Sequence, residues 1–207
     1  MACPDVQHEQ ACDTLKLLIA AGADVNCRYS FLNGTQSSAL TTAAHDQNVE
    51  YLRLLPEAGA DPNAMDNSGT TPLQLCFYLN YEVIRIHEEC VRLLLDAGAD
   101  PNVKARDSDE LLIFSAARHS VVLELMLEKG ISPDIKDSEG TPLIFHATSY
   151  RYAPGGPIKV LLNAGVDIFA KNAKGEDVFE AGLIMEEPIF RTLDKEREKR
   201  AAQGDQK

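Results

Sequence analysis

Five glycines at near-regular intervals constrain this chain more than any other feature. Gly22, Gly59, Gly98, Gly130 and Gly165 are separated by 37, 39, 32 and 35 residues. Three of them sit in almost the same phrase: LLIAAGADVN at 17–26, LLPEAGADPN at 54–63 and LLLDAGADPN at 93–102. Two weaker copies, LMLEKGISPD at 125–134 and VLLNAGVDIF at 160–169, align on the same glycine. Periods of about 20–50 residues mark repeat architectures, in which each unit leaves an apolar face for its neighbour to cover.

The phrase has a physical reading. Paired leucines followed by a small residue and Gly are what an amphipathic helix needs to stop abruptly, with the Gly left-handed at the C-terminal cap. The chain then turns through Asp-x-Asn. Eight residues after Asn63 and Asn102, and seven after Asp134, a second phrase opens: Thr71-Pro72-Leu73, Glu110-Leu111-Leu112 and Thr141-Pro142-Leu143. In the Thr-Pro copies the hydroxyl is expected to cap a new helix, and Pro takes the first helical position, where its missing N–H costs nothing. A short helix, a longer one and the next glycine complete the unit.

A period near 33 with TPLxxxA, two helices and a GADPN turn resembles the ankyrin repeat family, over nearly the whole chain. The second phrase keeps register as Ser38-Ala39-Leu40 with Ala43-Ala44, Thr71-Pro72-Leu73, Glu110-Leu111-Leu112 with Ala116-Ala117, and Thr141-Pro142-Leu143 with Ala147, and a last copy, Gly175–Phe179, brings Asp177 as cap. The resemblance implies an all-α solenoid of paired antiparallel helices with β-hairpin-like finger loops, about five to six units including degenerate caps. Its expected units are 1–37 with a ragged first helix and a lengthened finger, 38–70, 71–109, 110–140, 141–176, a capping repeat at 177–200 and a flexible tail at 201–207. The family's usual His after Thr-Pro-Leu is replaced by Thr41, Gln74, Ile113 and Ile144, so its hydrogen bond must be lost or remade.

Departures from regular spacing collect on loops, where function concentrates. From the Leu of the second phrase to the capping Gly the distance is 19, 25, 18 and 22 residues, so the 71–109 unit gains about six near 79–89 and the 141–176 unit about three near 149–156. Tyr78, Tyr81, Tyr150 and Tyr152 in these insertions are expected to pack as extended helix ends. The first finger is also long, with Tyr29, Phe31 and Leu32 ahead of a turn-forming Asn33-Gly34 pair. These apolar residues either meet a partner or fold back on the next repeat.

Proteins similar to this one meet partners through the finger tips and the inward face of each first helix. Carried over by position, this selects Asn67, Ser68, Thr70, Arg106, Asp107, Asp109, Ser138, Glu139 and Lys174 on fingers, and His45, Asp46, Tyr78, Leu79, Arg118 and Ser149 on first helices. Tyr78 and Arg118 stand out because Tyr and Arg are enriched among residues that dominate binding energy. The resemblance also implies that Asn26, Asn63 and Asn102, each eight residues after a Leu, match the pattern favoured by asparaginyl hydroxylation, beside a plain structural role in the turn.

Charge selects the partner class. The net charge is −12, and because residues 191–207 are +2 the other 190 residues carry −14. Such a surface repels phosphate backbones and favours a protein partner with a basic surface. The KEREKR run reads as a fraying charged helix. No window reaches the roughly 18 apolar residues of a membrane span, and MACPDVQHEQ has neither the basic nor the apolar region of a signal peptide. A cytoplasmic monomer is expected, with the nucleus and secretion as an effector left open. Cys3, Cys12, Cys27, Cys76 and Cys90 form no CxxC pair and no zinc pattern, and are expected as reduced thiols. The chain has no GxGxxG, GxxxxGK[ST], GxSxG or HExxH, and His45, His119 and His146 have no nucleophile at matched spacing. No catalytic residue, metal or cofactor is expected. The leading reading is a non-catalytic interaction module; a substrate-recruiting adaptor or effector subunit is the alternative, and a hydrolase-like enzyme the remote one.

Overall fold

A computed structural model describes residues 4–30, 36–79, 84–106, 108–148, 156–181 and 187–204, with backbone alone at 4–10, 78–79, 84–86, 187–190 and 203–204. The chain divides into two compact units, Met1–Arg106 and Asp107–Lys207.

The first unit begins with α1 (Pro4–Ala20), followed by β1 (Tyr29–Ser30) and β2 (Gln36–Ser37), which pair antiparallel as the first finger. Then come α2 (Ala39–His45), α3 (Val49–Glu57), α4 (Pro72–Leu75), the antiparallel strands β3 (Phe77–Leu79) and β4 (Ile84–Ile86), and α5 (Glu88–Asp96). Helix α2 packs on α3 and α4, α3 on α5, and α4 on α5. The second unit holds α6 (Leu112–Ala116), α7 (Ser120–Glu128), α8 (Leu143–Thr148), α9 (Gly156–Asn163) and α10 (Glu187–Gly204). Here α6 packs on α7, α7 on α9 and α8 on α9. No helix among the described residues is long and apolar enough to cross a membrane.

Local chemistry starts α4 as the sequence implies, whereas α8 begins at Leu143 with Pro142 ahead of it, bridged to Lys136. Thr71 caps α4 by accepting from the Gln74 N–H at 3.3 Å, with Pro72 inside the first turn. The five cap glycines have φ between +81° and +96°. At Gly98 the turn closes with the Ala99 N–H reaching back to the Leu94 carbonyl at 2.9 Å, as a left-handed helix end requires. Helix α6 has only Glu110 and Leu111 where the other copies have a hydroxyl, and its N-cap makes no side-chain bond.

The core follows from the repeat. Leu55, Leu94, Met126 and Leu161, each four residues before a cap glycine, are all 0% exposed. Leu18 holds the same position in α1 and is 52% exposed. The reason is architectural: where later copies place a short helix and a long one, α1 is a single helix, so nothing described from its own copy covers this leucine. The expected ragged first helix ahead of residue 14 is thus the same continuous helix.

Two further expectations are corrected. The insertion in the 71–109 unit is a β-hairpin, not an extended helix end: α4 stops at Leu75 and the chain enters β3 two residues later. Phe-Tyr-Leu and Ile-Arg-Ile are β-branched and aromatic runs that favour a pleated ladder over another helical turn. The tail does not begin at 201, because α10 continues through Ala201 and Ala202 to Gly204. Arg200 fixes its last described turns, donating to Glu196 Oε1 and to the Val166 carbonyl, both at 3.0 Å. Tyr81, Tyr150 and Tyr152 lie outside the described residues.

Candidate protein-interaction surface

Three fingers share one loop, built around an Asp or Asn whose side-chain oxygen accepts two backbone N–H groups. Asp66 Oδ1 accepts from Ser68 and Thr70 at 2.8 and 2.9 Å. Asp137 Oδ1 accepts from Glu139 and Thr141 at 3.0 and 2.7 Å. Asn172 Oδ1 accepts from Lys174 and Glu176 at 2.9 and 3.0 Å. Backbone bonds close each loop at its base, from Asp66 to Thr70, Asp137 to Thr141 and Asn172 to Glu176. Braced from inside, each loop turns its tip side chains outward: Asn67, Ser68, Ser138, Glu139 and Lys174 are all exposed.

Thr70 does not belong with them. It is 4% exposed and its N–H and carbonyl are both used within the loop, so it is a scaffold position at the finger base. Ser138 is committed in part, its N–H and hydroxyl both donating to the Glu110 carboxylate. Arg106 and Asp109 are exposed, and Asp107 lies outside the described residues.

The first-helix candidates scatter more. His45 and Asp46 end α2, exposed and paired with each other at 2.8 Å. Arg118 is half-buried just beyond α6. Tyr78 and Leu79, expected on a helix face, lie on β3 instead. Ser149, Phe31 and Leu32 fall outside the described residues. Tyr29 is 38% exposed, yet its hydroxyl bonds the Thr42 hydroxyl on α2, so this residue folds back on the neighbouring repeat while leaving part of its ring open. Beside it, Asn26, Arg28, Asp61 and Met65 line a groove of about 310 Å³ between the first two fingers. Met65, 54% exposed, is the apolar candidate the sequence reading missed, because position in the repeat pointed only at the tips.

The turn asparagines have a structural assignment. Asn26 donates to the Gly59 carbonyl and accepts from the Asp61 N–H, both at 2.9 Å. Asn63 repeats this one unit on, donating to Gly98 at 3.1 Å and accepting from Asp100 at 2.8 Å. Each carboxamide therefore ties two successive turns. Asp134 keeps only the accepting half, taking the Asp167 N–H at 2.7 Å. Asn102 turns its amide toward Asp100 Oδ1 at 3.3 Å.

The missing His of the second phrase is replaced in two ways. Thr41 Oγ1 accepts the Ser38 N–H at 3.1 Å, and Gln74 accepts the Thr71 N–H at 2.6 Å while donating to the Lys104 carbonyl at 2.8 Å, so here the bond is remade. Ile113 and Ile144 are fully buried, and in these copies burial stands in for the bond.

The titratable groups pair locally. His146 Nε2 meets Asp137 Oδ2 at 2.8 Å and its ring tilts against Phe114 at 4.9 Å. Burial pushes the Asp137 carboxyl up, but the Thr141 N–H, His146 and the Glu139 N–H together hold it below the usual carboxylate range. Cys76 and Cys90 are free and fully buried, with Cys76 Sγ donating to the Pro72 carbonyl at 3.5 Å; interaction with the Cys90 thiol and burial raise the Cys76 thiol. Among the described residues no cluster of three or more His, Cys, Asp or Glu has the arrangement of a metal site.

Comparison with known proteins agrees with this geometry. The family profile for ankyrin repeats in three copies matches residues 3–105. The curated proteins include no match. Ankyrin repeats are generally protein–protein interaction modules and are typically non-catalytic. Through residues 3–105, about half of its length, this chain belongs to the ankyrin repeat family.

Proposed function

We propose that this chain is a non-catalytic interaction module, a solenoid of five to six repeat units that holds a partner protein through its finger tips and first-helix faces. The observation that carries this reading is the triplicated finger loop. Asp66, Asp137 and Asn172 spend their side chains on bracing the loop, while the tip residues of each are left facing solvent. A braced loop loses little conformational entropy on binding, which favours a rigid recognition surface. The net charge of −12 supports a partner with a basic surface, since complementary potentials steer encounter and select partners.

The test compares proteins captured from lysate by the wild-type chain and by a Ser68→Arg, Glu139→Arg, Lys174→Glu triple variant, identified by mass spectrometry. All three side chains are exposed and their loops are braced by other atoms, so far-UV helicity is expected to be unchanged. A partner enriched by the wild type and lost from the variant supports the reading. The same proteins in both captures refute it.

A further inference from the structure

The second helices carry a repeat pattern of their own, and one copy breaks it. Six residues before the cap glycine the copies have Lys16, Arg53, Arg92, Glu124 and Lys159, four cations and one acid. Two residues before it they have Ala20, Glu57, Asp96, Glu128 and Asn163. Helices α3 and α5 therefore set a cation and an acid four residues apart on an exposed face, and there Arg53 and Arg92 both reach Glu89, at 3.1 and 3.9 Å. Helix α7 sets two carboxylates there instead, an arrangement that disfavours a helix. Neither Glu124 nor Glu128 forms an ion pair among the described residues.

These carboxylates border an apolar groove. Between α7 and α9 lies an open depression of about 340 Å³, with Leu127, Ile131, Pro133 and Val160 among its lining and Glu124 and Glu128 on the α7 side. Leu127, Pro133 and Val160 are only half-buried. Its size is at the low end for a ligand pocket and suits a few side chains laid across it. An apolar floor with negative charge along one wall is complementary to a segment that offers both an apolar ridge and adjacent cations. An amphipathic helix presents the two together, laying its apolar face into a groove.

We propose that the groove between α7 and α9 docks a basic amphipathic helix of a partner protein, with its apolar ridge on Leu127, Pro133 and Val160 and its Lys or Arg side chains on Glu124 and Glu128. This site shares no residue with the finger tips, so a single chain of this kind would hold two protein segments at once. The like-charge pair of α7, absent from the other copies, is the feature that recruits the cations.

The probe is a fluorescein-labelled 18-residue helix of Leu and Lys, with Leu on one face, titrated by anisotropy against the full chain. A peptide of the same composition with Leu and Lys spread around the helix is the control for general attraction to an acidic protein. The amphipathic peptide is expected to bind on the order of tenfold tighter than the control, and Glu124→Arg is expected to remove about that factor, the weight of one close charge pair. Because Glu124→Arg restores the pattern of α3 and α5, its melting temperature should match or exceed that of the wild type. Hydrogen exchange should slow on peptide binding at 120–135 and 156–166. Equal affinity for the two peptides, undiminished affinity in Glu124→Arg, or protection confined to other segments would overturn the proposal. Glu128→Arg gives the same test should the first variant melt early. Failure here leaves the finger-tip reading intact, since the triple variant touches none of these groups.

Discussion

At the scale of the residue, one carboxamide does the work of joining neighbours. Asn63 bonds both the Gly98 carbonyl and the Asp100 N–H, and Asp134 shows what remains when the donor is gone. A hydrogen bond contributes about 0.5–1.5 kcal/mol net, so Asn63→Ala should cost about 1–2 kcal/mol and Asn63→Asp roughly half of that, read from urea midpoints. Gly98 adds a backbone constraint. Its φ is +95° and a Cβ there would meet nothing within 4 Å, so Gly98→Ala isolates left-handed strain, about 1–2 kcal/mol, from any clash. Asp137 sets a pH dependence. Its folded pKa is depressed, so the stability it contributes is present above the unfolded value of about 4 and is lost as pH falls through the folded one. Asp137→Asn should keep the loop, as Asn172 does in the next finger, and should lose less stability than the wild type between pH 7 and pH 3, measured by denaturant melts.

At the scale of the element, helix ends were the most legible part of the sequence. Thr71 and Pro72 announce α4, and Thr71→Ala should cost about 1 kcal/mol because a four-residue helix depends on its cap. The cap glycines marked the stops of α1, α3, α5, α7 and α9, each with a left-handed residue just past the helix end. The pairing of β3 with β4 was not foreseen as such. Counting residues between the second phrase and Gly98 revealed an insertion of the right size, but a count carries no conformation, and the alternation in Phe-Tyr-Leu and Ile-Arg-Ile was the signal that did. That error displaced Tyr78 and Leu79 from a helix face to a strand. Thr70 was misplaced for a different reason: position in a repeat locates a residue on a finger, whereas its burial depends on Asp66 drawing its N–H inward. Tyr29 could not be decided from sequence, because the bond from its hydroxyl to Thr42 joins residues whose proximity only the folded finger creates.

At the scale of the whole molecule, polar side chains hold the loops and turns and leave the finger tips exposed, and on the function proposed above these tips meet the partner. With a net charge of −12, capture of a basic partner should weaken steadily between 0.05 and 0.5 M salt, as screening shortens the reach of surface charge. The most direct test of the account is hydrogen–deuterium exchange of the full chain with and without the captured partner. Slowed exchange is expected in the finger loops at 66–70, 137–141 and 172–176. Protection that leaves all three loops unchanged, with the partner bound, would contradict it.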